Sequence, residues 1–481
     1  MRRSYYGAAL ALCTGIGLWL RLYYLHQPMR YDEAYSYLFF VQVPLASTLS
    51  DYSLPNQHIL NSLLMRVSTA LFGNAPWALR LPAFTFGIAI VPATFFGLRR
   101  LFGEHAALLA AACTAVSAQL ILYSTNARGY SLVVLLFIGM LAASALLHER
   151  DDKRAWVALV VWSVLGLYAI PTMLYAIGGV FIWHAARGWA LFHKARDARV
   201  LHRVLKSAAA VAVLTLILYT PVLVGTGLGP LIANDWVSAR TPRTFAAELP
   251  VMMRELWLDW HGGWPLPLVG VLIAGVIAYI LIPAARMKSG GLLAAILLWC
   301  AALLIGTLRA PFARVWLFLL PVYFGIAARG LVLALPKPRT TTRRDALVAA
   351  GALAICAVGG TGVLRSAAVT TAAGPRFPDA QAVVAYLARE VRPGDGVYAR
   401  TPADASLWYY TRRSGLSEVV LRLNYGAERR VLVVVNEAAG QHIELLRAAT
   451  PLGTAAFSAP RLLHRFPAAR VYEVTRIRRL P

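Results

Sequence analysis

The chain has 481 residues, of which 59% are hydrophobic and 14% charged, with a mean hydropathy of +0.59. A soluble domain carries roughly 25% charged residues, so this chain has too few to coat a water-facing surface of its size. That excludes an ordinary cytosolic enzyme, a disordered regulator and a disulfide-rich secreted module, and implies a polytopic α-helical membrane protein.

The 47 Lys and Arg against 22 Asp and Glu give a formal charge of +25. Basic cytoplasmic loops account for such an excess. Nucleic acid is not expected as a partner, because no aromatic-basic binding module is present. The four cysteines, Cys13, Cys113, Cys300 and Cys356, each sit in an apolar run and suit neither a disulfide framework nor a zinc cluster.

After Arg2-Arg3, an apolar run from about Tyr5 to Leu25 has the length of a spanning helix and lacks a small-x-small cleavage site, so it reads as an uncleaved first span. Further runs lie near 76–98, 105–124, 129–147, 155–170, 172–186, 207–224, 265–283, 291–308, 314–333 and 345–364. They predict about eleven spans. Pro171 interrupts the 155–186 stretch, which suits a kinked helix with a re-entrant turn as well as two short spans. With the N-terminus cytoplasmic, the basic groups at 99–100, 150–154, 187–206, 286–288 and 329–344 all fall inside, as the positive-inside rule requires.

This topology makes residues 1–365 a membrane domain and 366–481 a small extracytoplasmic α/β domain. Two large outer loops, 26–75 and 225–264, interrupt the first; the second predicts an amphipathic helix near 244–260. In the tail, strand-like runs at Val397-Tyr398-Ala399, Val431 to Val435 and Val471 to Val474 alternate with helical runs near 379–390 and 440–448. The segment 57–72 predicts a helix along the membrane interface, too short for a span.

Acidic residues are scarce in the membrane part, so their position is informative. Tyr31-Asp32-Glu33-Ala34-Tyr35 follows the first span, and Asp51, Asn56 and His58 share its outer loop. Carboxylates and an imidazole framed by aromatics suit proton transfer. They also include ligand types for a divalent cation, although Asp32-Glu33 alone is no metal motif. The complementary feature is arginine at outer helix ends. Tyr123 to Tyr130, including Arg128, fills one outer turn; Arg240 and Arg243 lie in the second large loop; Arg309 and Arg314 flank a late turn. A guanidinium binds phosphate through a planar fork of donors.

The order of these motifs resembles a known family. An outer-loop Asp32-Glu33 precedes Asn56-Gln57-His58 and Leu71-Phe72-Gly73. Ala78-Leu79-Arg80-Leu81-Pro82, then Arg99-Arg100-Leu101-Phe102-Gly103, then Tyr123-Ser124-x-x-Ala127-Arg128-x-Tyr130 follow. The pattern, over roughly residues 1–130, is similar to the GT-C superfamily of lipid-linked-sugar glycosyltransferases, nearest the protein O-mannosyltransferase and aminoarabinose transferase (ArnT-like) group. The resemblance implies a polyprenyl-phosphate sugar donor used with inversion on the extracytoplasmic face of a bacterial inner membrane. It implies Asp32 as the catalytic base, with Glu33 supporting it or positioning the acceptor.

The expected site therefore comprises Asp32 and Glu33 for catalysis, and Arg128, Arg309, Arg314, Arg240 and Arg243 for the donor phosphate. Tyr31, Tyr35, Asp51, His58, Asn56, Tyr123 and Tyr130 would contact sugar or acceptor. A phosphate leaving group held by arginines needs no protonating acid, so neither a metal nor another cofactor is expected. The absence of an Asp-x-Asp motif favours a lipid donor over a nucleotide sugar. The acceptor is a lipid, a protein or a glycan. A transporter or flippase of lipid-linked glycan would place its ionisable residues at mid-membrane. A glycan polymerase or ligase, or a lipid-binding scaffold, is a further alternative.

Overall fold

The long apolar runs of residues 1–365 fold as helix, because a chain in lipid must satisfy its backbone hydrogen bonds within itself. The computed structural model describes residues 2–232, 238–336, 340–371, 377–421, 428–448, 450–454 and 456–477. Among them, seven helices are long and apolar enough to cross a membrane, or nine if each of two bent pairs counts as one span. The other predicted spans, near 155–170 and 172–186, fold as the 17-residue Lys153–Ala169 and as Leu174–Ala195, with a 3-10 turn at Pro171–Met173 between them. Helices also form at Ile59–Phe72 and Pro242–His261. Val224 and Leu298 are 83% and 70% exposed, as expected where lipid is the outer solvent.

By packing, the chain divides into two units, Met1–Leu25 with Pro44–Ala372, and His26–Val43 with Ala373–Pro481. The segment carrying Asp32 and Glu33 thus groups with the C-terminal residues rather than with the helical membrane unit.

In the helical unit, the third predicted span is broken. Helices Glu104–Val116 and Ala118–Ser124 meet at an extended Ser117 and bend by 60°. The break interrupts the helical hydrogen-bond ladder and frees carbonyls inside the protein, which costs several kcal/mol per group unless donors reach them (roughly). The fully buried Arg21 supplies them. Its Nη1 donates to Ala115 O at 3.0 Å and Gly17 O at 2.9 Å, and its Nε to Ser124 Oγ at 3.1 Å. Trp264 Nε1 donates to Val116 O at 3.3 Å. The bent segment then lies against Gly87 of helix Pro76–Phe102.

The second unit contains a four-stranded sheet. Strands β1 (Asp395–Tyr398), β2 (Arg430–Asn436), β3 (Arg461–Arg465) and β4 (Ala469–Thr475) lie in the order β1-β2-β4-β3. Only the β1–β2 pair is parallel. Central β2 is covered on both faces, which explains its unbroken Val-Leu-Val-Val-Val run. Val431, Val433 and Val435 pack with Ile443, Leu446, Phe457 and Val474. Edge strand β3, Arg-Leu-Leu-His-Arg, is largely exposed and gives no alternating apolar signal, which is why the sequence pattern misses it. Helices Ala380–Glu390, Asp404–Ser414 and Ile443–Ala448 complete the unit.

A Cβ at Gly87 would stand 2.0 Å from Ser124 Oγ and 3.2 Å from Ser124 Cα, whereas one at Gly15 meets nothing within 4 Å. Gly87→Ala is therefore expected to destabilise the protein by about 1–3 kcal/mol through overpacking, and Gly15→Ala to leave it unchanged. Thermal unfolding of the two detergent-solubilised variants checks this; equal midpoints would refute the close approach.

Candidate functional site

In the helical unit, the turn before helix Ile59–Phe72 is anchored by a buried amide. Gln57 Nε2 donates to Thr48 O at 2.9 Å, and Gln57 Oε1 accepts from Ser62 Oγ at 2.7 Å. Tyr52 and Ile59 pack with Tyr168, Tyr219 and Val222, which fixes this segment to the helices behind it. His58 sits at the start of the helix and is 3% exposed.

The turn that follows the bent helix Ala118–Ser124 meets His58. Arg128 Nη1 donates to Asn56 O at 2.6 Å, and Arg128 Nη2 lies 3.2 Å from His58 Nε2. The Gly129 N–H donates to His58 Nδ1 at 2.9 Å. Asn61 Nδ2 donates to Ala127 O at 3.3 Å and holds the turn from beneath. Glycine is needed here: a Cβ on residue 129 would lie 3.2 Å from His58 Nδ1 and 3.5 Å from His58 Cβ.

Tyr130 begins helix Tyr130–Glu149 and meets the imidazole edge-on, with ring centroids 5.1 Å apart; Tyr123 packs on its other side at 4.9 Å. Arg314 Nε donates to Tyr130 Oη at 2.9 Å, and its guanidinium covers the Phe312 ring at 4.1 Å. Burial, then Arg128 and Arg314, hold the His58 imidazole well below the usual histidine range. The result is an electropositive cluster of two guanidinium groups, one neutral imidazole and one phenol.

The other predicted arginines of this unit lie in different surroundings. The Arg240 Nε pairs with Glu248 at 3.0 Å, and its backbone N–H donates to Leu308 O at 2.8 Å. Arg309 donates to Ile232 O. Arg243 is exposed on helix Pro242–His261. Asp51 closes a local turn by accepting from Ser53 N at 2.8 Å.

In the second unit, Asp32 and Glu33 lie in the first turn of the short helix Tyr31–Ser36. Glu33 is fully buried and accepts the Arg30 N–H at 3.0 Å, closing the helix start. Asp32 is partly exposed. The segment is seated on helix Asp404–Ser414: Met29 N donates to Tyr410 Oη at 3.1 Å, and Tyr37 meets Tyr409 and Phe39 meets Trp408 edge-on. Tyr35 packs on Phe39 at 4.4 Å. Burial, with Asp404 nearby, pushes the Tyr31 phenol up to about 12, and burial raises Asp404. Sequence reasoning did not single out Gln57, Gly129 or Asp404. Of these only Gly129, set between Arg128 and Tyr130, carried a legible signal, since glycine in such a place marks close backbone approach.

Residues 56–224 match the family model of dolichyl-phosphate-mannose-protein mannosyltransferases. The chain is similar in structure to ArnT from Cupriavidus metallidurans bound to undecaprenyl phosphate, with a TM-score of 0.62 and 15% identity over 96% of this chain and 97% of that one. The chain has the GT-C fold. The archaeal oligosaccharyltransferase AglB from Archaeoglobus fulgidus shares it more distantly, with a TM-score of 0.54 and 13% identity over 90% of this chain and 69% of that one. No curated protein matches by sequence. The part matched by the family model begins at Asn56 and includes His58, Arg128 and Tyr130 but not Arg314. Among the described residues no group of three or more His, Cys, Asp or Glu side chains could hold a metal ion.

The state of His58 has a thermodynamic consequence. An unfolded histidine takes up a proton near pH 6.5 (about), whereas buried His58 does so only at a lower pH. Its contribution to stability is present above that unfolded value and is lost as the pH falls below it. Stability measured from about pH 7 to 5.5 should therefore decline less steeply in His58→Gln than in the wild type; parallel declines would show that His58 is not held neutral.

Proposed function

We propose that the protein is an inverting glycosyltransferase of the bacterial inner membrane. It moves a sugar from a polyprenyl-phosphate donor to an acceptor hydroxyl on the extracytoplasmic face, with its N-terminus in the cytoplasm. The observation that carries the reading is the cluster of buried Arg128 and half-buried Arg314 around His58 and Tyr130, built on a fold shared with a protein bound to undecaprenyl phosphate.

The chemistry asks for two things. The acceptor hydroxyl must lose its proton as its oxygen bonds to the anomeric carbon, and Asp32, a partly exposed carboxylate among aromatics, takes that proton. The bond from the anomeric carbon to phosphate oxygen breaks on the opposite face, with its electron pair leaving on the polyprenyl phosphate. Arg128 and Arg314 hold the charge that develops there, so no acid is needed to protonate the leaving group. A carboxylate also stabilises the oxocarbenium character of the transition state. Glu33, by closing the start of the Tyr31–Ser36 helix, orients Asp32 rather than acting on substrate.

Incubation with radiolabelled polyprenyl-phosphate sugars and crude envelope acceptors tests the activity. Once a turnover pair is found, Asp32→Asn should lower transfer by about 100-fold or more while leaving undecaprenyl phosphate binding intact; transfer at the wild-type rate would remove Asp32 as the base. Arg128→Ala should weaken undecaprenyl phosphate binding by about tenfold or more, and unchanged affinity would remove it from the phosphate site. The orientation has its own test. Val419 is 72% exposed and the four native cysteines are buried, so Val419→Cys should react with an impermeant maleimide only from the extracytoplasmic side; labelling only after the membrane is opened would reverse the topology.

A further inference from the structure

The hydrogen bonds around His58 assign its proton. A backbone amide can only donate, so the 2.9 Å contact from Gly129 N requires a bare Nδ1 on the imidazole. The neutral ring then carries its hydrogen on Nε2. That atom faces Arg128 Nη2 at 3.2 Å, and a guanidinium has donors and no acceptor. Two N–H groups are thus set side by side, and among the described residues His58 has no acceptor for its Nε2–H. The same holds in outline for Tyr130. Its oxygen accepts from Arg314 Nε at 2.9 Å, which leaves the phenolic hydrogen to donate elsewhere. Two donors held this close at 3% exposure are unfavourable unless one oxygen accepts from both, and an anionic oxygen is the natural acceptor.

We propose that His58 and Tyr130 are neutral hydrogen-bond donors to the donor phosphate, completing with Arg128 and Arg314 a four-donor cradle in which His58 is locked as the Nε2–H tautomer by the Gly129 amide. This rests on the polyprenyl-phosphate reading and changes the part these two residues play in it: they bind phosphate rather than sugar or acceptor. The charged and titratable groups facing His58 are Arg128, Arg314 and Tyr130, and none of them is a carboxylate. The imidazole is therefore a fixed donor and not a proton carrier. Its use is geometric: it adds directionality to a site whose charge already comes from the arginines, and the close-packed Gly129 amide keeps it from turning over.

Two measurements test the proposal. Nitrogen-15 histidine spectra of the wild type, compared with His58→Gln, should show a His58 signal with protonated Nε2 and bare Nδ1 from pH 5.5 to 8. A proton on Nδ1, or on both nitrogens, overturns the assignment. Undecaprenyl phosphate, undecaprenol and inorganic phosphate are then titrated into purified protein. His58→Gln and Tyr130→Phe, the second keeping its ring packing, should each bind undecaprenyl phosphate at least tenfold more weakly and undecaprenol within twofold of wild type. Inorganic phosphate should shift the His58 signal only at far higher concentration than undecaprenyl phosphate; a shift at equal concentration would overturn the lipid as the source of the phosphate. Wild-type protein that fails to bind undecaprenyl phosphate overturns the donor reading together with this role. Wild-type binding with unchanged affinity in both variants overturns the role of His58 and Tyr130 alone.

Discussion

The path of the helical unit turns on one buried arginine. Arg21 reaches across from the first helix and donates to the carbonyls left open where the third span breaks at Ser117. In a medium without water those carbonyls would otherwise keep the span straight or unfold it. With the guanidinium in place, the span bends by 60° and its final turn runs against Gly87. The chain then leaves this bend directly into Thr125 to Gly129, the turn that presents Arg128 and the Gly129 amide. The buried guanidinium thus shapes the segment that carries Arg128 and the Gly129 amide.

The cluster at that turn is electrostatically one-sided. Two guanidinium groups, an imidazole kept neutral by burial and by those cations, and a phenol whose oxygen is already occupied all present donors. A protein interior tolerates such an arrangement when an anion completes it. The carboxylates tell a complementary story in the other unit, where Glu33 is consumed by its own helix start and Asp32 remains partly exposed. Adjacent acids of equal chemistry are thereby given different surroundings by backbone geometry.

Several features were readable from the chain as written. The long apolar runs became helices near the expected bounds, and the Pro171 interruption became a 3-10 turn between two helices. Three of the four strands fell on the runs that read as strand-like, at 397–399, 431–435 and 471–474. Others were silent. Arg-Leu-Leu-His-Arg is a strand only because it pairs with β4, an interaction that leaves no periodic trace on an exposed edge. Asp404–Ser414, Asp-Ala-Ser-Leu-Trp-Tyr-Tyr-Thr-Arg-Arg-Ser, mixes aromatics and polar residues because one face receives the Met29 to Phe39 segment, and that partner lies more than 360 residues away in sequence.

Composition and hydropathy determined by themselves that this is a helical membrane protein with a mixed tail, since both follow from the solvent each residue prefers. The order of short motifs was enough to suggest a GT-C fold. Which arginines gather, however, was decided by tertiary structure: Arg128 and Arg314 meet at Tyr130 and His58, while Arg240 and Arg309 bind backbone and a glutamate elsewhere. The reason is physical. A local pattern reports the environment a side chain needs, whereas the partners that supply it are set by how distant helices pack, and a 2.9 Å contact from one glycine amide has no image in any sequence window.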